Sequence, residues 1–226
     1  ILHKIDPTPQ QMKDMLLYIR EKTGQLSMID KGERSAVRRS KLSQIAKGFV
    51  YLKGAAAGRV KRIESKKPQV VADLIRSESE AGHQVLCWTV FDAESDIIAE
   101  KLEGVSFACL HGKTKPEDRQ RILESFRDGS IRVLISKAEL LGFGMNFQCC
   151  TSMIFSGFDD SYESFYQAVR RAYRHGQEHK VRVHIPVIED LEGDMLENLP
   201  PPAGEGWGVI FVTPSLTYRS SGASYH

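Results

Sequence analysis

Two textures of apolar spacing divide the chain. In PTPQQMKDMLLYIREKTG, residues Met12, Met15, Leu16 and Ile19 recur at helical intervals behind a proline-bearing entry, and Gly24 follows as a stop. SAVRRSKLSQIAKGFVYL repeats the pattern: Val37, Leu42, Ile45 and Ala46 share one side, basic Arg38, Arg39, Lys41 and Lys47 occupy the other, and Gly48 ends it. GAAAGRVKRIESKK then predicts a small-residue loop or hairpin. From Lys67 onward, helical runs alternate with short, almost continuously apolar runs. KPQVVADLIRSESEAG leads into QVLCWTVF, AESDIIAEKLEG into VSFACLH, and KPEDRQRILESFRDGS into IRVLIS; SMIFS, a helix around SYESFYQAVRRAYR, and VRVHIPVI complete the series.

Strands apolar on both sides, each joined to the next through a helix, predict an α/β fold: a parallel sheet covered on both faces. Right-handed crossovers bring the loops that leave the strands to one edge of such a sheet, where these folds bind ligands. The expected organisation is a basic helical insertion over 1–66, an α/β lobe over 67–188 and a partly ordered extension over 189–226, where one further strand, GVIFV, is predicted. No internal repeat is present.

Charge sharpens this division. The first 67 residues carry sixteen Lys and Arg against six Asp and Glu, while the rest carry fifteen against twenty-three, so a net charge of +2 conceals a strongly basic first third. That surplus suits a polyanion such as nucleic acid, with a solvated helical face as the alternative. With 41% hydrophobic and 27% charged residues, and no apolar run near the roughly 20 residues of a membrane span, the composition predicts a soluble protein. The start ILHKIDPTPQ has no apolar signal core, so a cytoplasmic location is expected, and a first residue Ile suggests a piece of something longer. The four cysteines, Cys87, Cys109, Cys149 and Cys150, read as small core residues in a reducing compartment, and His175 and His179 lack the C-x2-C partner a zinc site requires.

Three stretches carry chemistry. LHGKTK ends like a phosphate-binding loop, but position 107, where the first glycine should stand, is Phe, so the chain has no evident grip on a triphosphate of its own. ELLGFGMNFQ follows the strand IRVLIS and its polar exit Ser136 and Lys137; Gly142 and Gly144 allow close backbone approach to a ligand, and Asn146 offers an amide. In QAVRRAYRHGQ, a helix from Ser161 would set Gln167, Arg170, Arg171 and Arg174 in one stripe, with Phe165, Ala168, Val169 and Ala172 facing the core. Guanidinium forks match phosphate oxygens; surface ion pairs with Glu163 or Glu178 are the alternative. No serine, cysteine or histidine sits in a nucleophile elbow, which argues against a stand-alone hydrolase.

These stretches resemble a known set. QAVRRAYRHGQ resembles motif VI of superfamily 2 helicases in the form used by Swi/Snf-type DNA-dependent ATPases, GFGMNF looks like their motif V, QVLCWTVF like motif IV, and HGKTKPEDRQRILESFRDGSIRVLIS like the segment between. Neither a Walker A loop nor a DExx motif occurs, so the resemblance is to the second RecA-like lobe, and the wording GFGMNFQ and KLSQIAKGFVY is most similar to phage- or prophage-associated bacterial members. It implies a motor lobe that shares ATP and Mg2+ with an N-terminal helicase lobe, with Arg171, Arg174 and Gln167 catalytic and Gly142, Gly144, Asn146 and Arg170 at the nucleotide. It further implies duplex DNA as partner, held by His111, Gly112, Lys113, Ser136 and Lys137, with Arg38, Arg39, Lys41 and Lys47 adding contacts. A nucleic-acid or protein binding module without catalysis is the other reading.

Overall fold

The computed structural model describes residues 1–23, 31–52, 58–141, 145–157 and 161–196. Six parallel strands form one sheet in the order β1 (Leu2–Lys4), β8 (Arg182–Val187), β7 (Ser152–Phe155), β4 (Val85–Thr89), β6 (Val133–Lys137), β5 (Phe107–Leu110). Strand β4 feeds β5 on one side of itself, while β7 feeds β8 on the other. Their exits therefore diverge, and a crevice opens at the carboxyl ends between them.

Alternation along the strands divides the core. Leu86, Trp88, Leu134, Met153 and Phe155 pack on one face against Leu123 and Phe126 of α5 (Pro116–Arg127) and Phe165, Ala168 and Val169 of α6 (Tyr162–Arg170). Val85, Cys87, Val133, Ile135 and Ile154 meet Val71, Ala72 and Ile75 of α3 (Lys67–Glu80) and Ile98 of α4 (Asp92–Ala99) on the other. All four cysteines are free thiols, and burial pushes Cys109 and Cys150 up to about 12. The expected parallel α/β sheet with both faces covered is present.

The first third differs from a separate insertion. Leu2–Lys4 is the sheet's edge strand, in register with Ile185–Val187. Helices α1 (Pro9–Thr23) and α2 (Lys31–Ala46) close over α7 (Glu189–Leu196), where Ile5, Leu42, Ile45 and Ala46 pack with Ile188 and Leu191. Helix α1 is turned from the predicted stripe: Leu16 is 60% exposed, while Gln11 is fully buried and donates to the carbonyls of Ile45 and Ala46, satisfying the open end of α2. Gly48, at φ +83, reverses the chain into the hairpin of β2 (Phe49–Tyr51) and β3 (Val60–Arg62). The predicted strand GVIFV lies outside the described residues.

Candidate nucleotide and nucleic-acid interface

The crevice between β4 and β7 is a cleft of about 100 Å³, lined among others by Trp88, Lys137, Glu139, Phe155, Gly157 and Phe165. Beside it, Glu94, a buried residue of α4, joins the strand exits. The carboxylate accepts from Val90 N (2.9 Å), Phe91 N (3.3 Å) and the Ser156 hydroxyl (2.7 Å), and so ties the exit of β4 to that of β7.

Arg171 touches two residues of the cleft wall, Trp88 and Ala138. Its guanidinium lies 5.4 Å from the Trp88 ring centroid and donates to the Ala138 carbonyl (3.0 Å) just beyond β6. Half-buried, it is pushed below its ordinary value by desolvation, with no carboxylate paired to it among the described residues. The predicted single stripe is broken here, because α6 closes at Arg170. The carbonyls released beyond it are taken from outside the helix: Phe147 N donates to Arg171 O (2.8 Å), the Gln148 side chain to His175 O, and the Gln177 side chain to Ala172 O. Gln167, Arg170 and Arg174 are exposed, and Arg170 rests over the Tyr166 ring. Gly176 completes the turn at φ +89.

The glycine stretch is joined to this turn. Asn146 is exposed, with its amide donating to the Gln148 side chain (2.8 Å) and its oxygen accepting from Gln148 N (3.0 Å). Phe147 and Gln148 then bond to the arginine turn as above. Gly142 and Gly144 lie outside the described residues.

Along the same edge, the loop after β5 presents Gly112 and Lys113 to solvent. Thr114 closes this turn on itself, its hydroxyl accepting from His111 N and its own N–H donating to His111 O, both at 3.0 Å. His111 is 3.6 Å from Asp92 and 3.5 Å from Asp96. Lys137 lies 3.2 Å from Asp92 and 3.5 Å from Glu139. Desolvation pulls the Lys137 ammonium down, but the hydrogen bond and charge of Asp92, aided by Glu139, leave it above its ordinary value. Asp92 is opposed by burial and outweighed by Lys137 and His111, which hold it below the usual carboxylate range.

Two expected phosphate ligands are not at the surface. Ser136 is in register with Trp88 and Leu110 and points into the α5–α6 face, fully buried, with its hydroxyl donating to Lys137 O. Lys47 is 1% exposed and bonds to Glu192 (2.7 Å) and Ser43 (2.6 Å). Lys41 is half-buried and donates to Tyr51 O and the Gln44 side chain, whereas Arg38 is exposed and Arg39 half-buried. Sequence reasoning missed Trp88, Glu94 and Asp92: Glu94 carries a local sign as the third residue of α4 capping that helix's start, while its bond to Ser156, and the partners of Trp88 and Asp92, are distant in the chain.

The helicase conserved C-terminal domain family matches residues 66–176, the span that holds every strand from β4 to β7 and the arginine turn. A chromodomain-helicase-DNA-binding protein 1-like protein of Danio rerio is 28% identical over 60% of this chain and 13% of its own length. Helicase SWR1 of Debaryomyces hansenii is 31% identical over 58% of this chain and 8% of its own. The matched stretch is thus similar to the C-terminal domain of helicases. A crystal structure of the C-terminal part of the Fun30 ATPase domain shares this lobe's fold, with a TM-score of 0.54 at 24% identity over 63% of this chain and 47% of that one. The chain spans about a tenth of the length of these curated relatives. Those relatives, from a fish and a yeast, give no support to the expected bacterial or phage source. Among the described residues no helix is long and apolar enough to cross a membrane.

Proposed function

We propose that this chain is the second motor lobe of a DNA-dependent ATPase, a helicase or translocase, which completes an ATP and Mg2+ site with an N-terminal helicase lobe and grips the DNA backbone at its sheet edge. The observation that carries the reading is Arg171: a half-buried guanidinium, backed by Trp88 and held by one carbonyl, at the divergent exits of a helicase-type sheet. A cation placed so has donors left for an anion, and its fixed geometry removes the cost of ordering it during the reaction. That is the fit expected of a group that meets a phosphoryl oxygen.

ATP with magnesium supplies the phosphoryl group whose transfer this lobe assists. Arg171 neutralises charge that develops on the γ-phosphoryl oxygens, and Arg174, three residues on and beyond the helix end, adds a second guanidinium. Gln167 orients phosphate or water, while Arg170, Asn146 and the Gly142 and Gly144 stretch respond to nucleotide. The bonds from Phe147 and Gln148 to the arginine turn give that response a direct route. His111, Gly112, Lys113 and Lys137 take backbone phosphates without reading bases, and Arg38 and Arg39 extend the basic surface. The names of the relatives, helicases and a DNA-binding helicase, favour this over a binding module.

The test is ATP hydrolysis by the two-lobe protein, with and without duplex DNA, beside Arg171→Lys and Arg171→Ala. Turnover stimulated by DNA is expected in the wild type, with a loss of about a thousandfold in either variant. This chain alone, lacking a phosphate loop, is expected to hydrolyse none. Turnover unchanged in both variants would remove Arg171 from the site and leave a nucleic-acid or protein binding module.

A further inference from the structure

We infer that the β2–β3 hairpin is a second grip on the backbone of duplex DNA, with Arg59 and Lys61 taking phosphates beside those held at the strand ends; this rests on the DNA-gripping reading above. Position is the first argument. The Phe49 and Tyr51 rings pack on Phe91 at 5.5 and 6.2 Å, and Phe49 is buried with Ala93 and Ile97. Arg62 bonds to Glu100 at the far end of α4 (2.5 Å). Tyr51, paired with Val60, meets Phe91 and lies near Asp92 and Lys137, so this end of β2 and β3 stands at the start of α4. Phe91 immediately precedes Asp92, the partner of Lys137 and His111, so this end of the hairpin reaches the same carboxyl edge.

Charge is the second argument. Much of the basic surplus of the first third is consumed internally: Lys47 and Lys67 by Glu192, Lys41 by Tyr51 O and Gln44, Arg62 by Glu100. Arg59 and Lys61 are exposed, and neither side chain has a hydrogen bond or ion pair among the described residues. Alternation puts the two on one side of the strand, opposite Arg62, at a spacing of about 6.6 Å. Strand β3 also has no partner on its outer side among the described residues. Two cations on a strand held in place by aromatic packing need little ordering to meet successive phosphates.

The salt dependence of binding to a short fluorescent duplex, read by anisotropy, tests this on the whole chain. Arg59→Ala/Lys61→Ala should lower the log–log salt slope by about 0.9 for each phosphate no longer neutralised, and the charge-keeping Arg59→Lys/Lys61→Arg should restore it. The thermal midpoint should not move in either. An unchanged slope in the double alanine variant, with a reduced slope in Lys113→Ala, would overturn the role of the hairpin and leave the strand-end grip. The converse pattern would keep the hairpin and remove the strand-end grip. A wild type with no salt-dependent duplex binding would overturn both.

Discussion

Lys137 is presented to the sheet edge, but Asp92 stands 3.2 Å from its ammonium and 3.6 Å from the His111 ring. A DNA phosphate approaching Lys137 must displace that carboxylate, so on the gripping reading Asp92 lowers duplex affinity. Asp92→Asn should tighten binding severalfold and steepen the salt slope by about one phosphate's worth, whereas Glu103→Gln, an exposed acid outside the cluster, should leave both unchanged. Anisotropy at several salt concentrations reads the difference; equal effects from the two variants would reduce Asp92 to general electrostatics. At this scale the sequence showed the arginine spacing and the strand-end polar residues. It did not show Ser136 turned inward, because one step along a strand decides the face and the register is made by neighbouring strands.

Elements show a similar division. The helical runs of α3, α4 and α5 were legible from apolar period and end signals, and they fold where predicted. Helix α6 stops short of its predicted end because Phe147, Gln148 and Gln177 claim the following carbonyls, partners that helical periodicity does not reveal. The exit of β7 is equally contextual. A Cβ on Gly157 would stand 2.8 Å from Lys47 Cε and 3.0 Å from the Glu94 carboxylate. Lys47 cannot swing aside, being buried and bonded to Glu192. Gly157→Ala is therefore expected to destabilise by about 1–3 kcal/mol, measured by urea unfolding, while Gly112→Ala, with open space around it, should cost much less.

Across the whole molecule, three segments meet in one buried ion cluster. Glu192 of α7 accepts from Lys47 (2.7 Å), which follows α2, and from Lys67 (2.5 Å), at the start of α3, all three almost fully buried. Burial pulls both lysines down, while Glu192, and more weakly Glu94, raise them; Lys47 ends above its ordinary value, and Lys67, also opposed by the Lys47 charge, falls to about 8. Glu192→Gln removes the hydrogen-bonded counter-charge of two buried cations, leaving them only the more distant Glu94, and should cost about 3–5 kcal/mol, seen as a lower unfolding midpoint of the whole chain. An unchanged midpoint would mean that apolar packing alone joins α2, α3 and α7.

From its residues alone, this chain determined the alternation of strands and helices, the covered parallel sheet, the loops that carry chemistry and the basic bias of the first third, because period, end signals and charge are local properties. Only the tertiary structure decided that β1 joins the sheet, that Arg171 rests on Trp88, that Asp92 faces Lys137, and that much of the basic surplus is spent inside while Arg59 and Lys61 remain outside. Those outcomes depend on which distant segments come within a few ångströms of one another, and that pairing is a property of the packed chain.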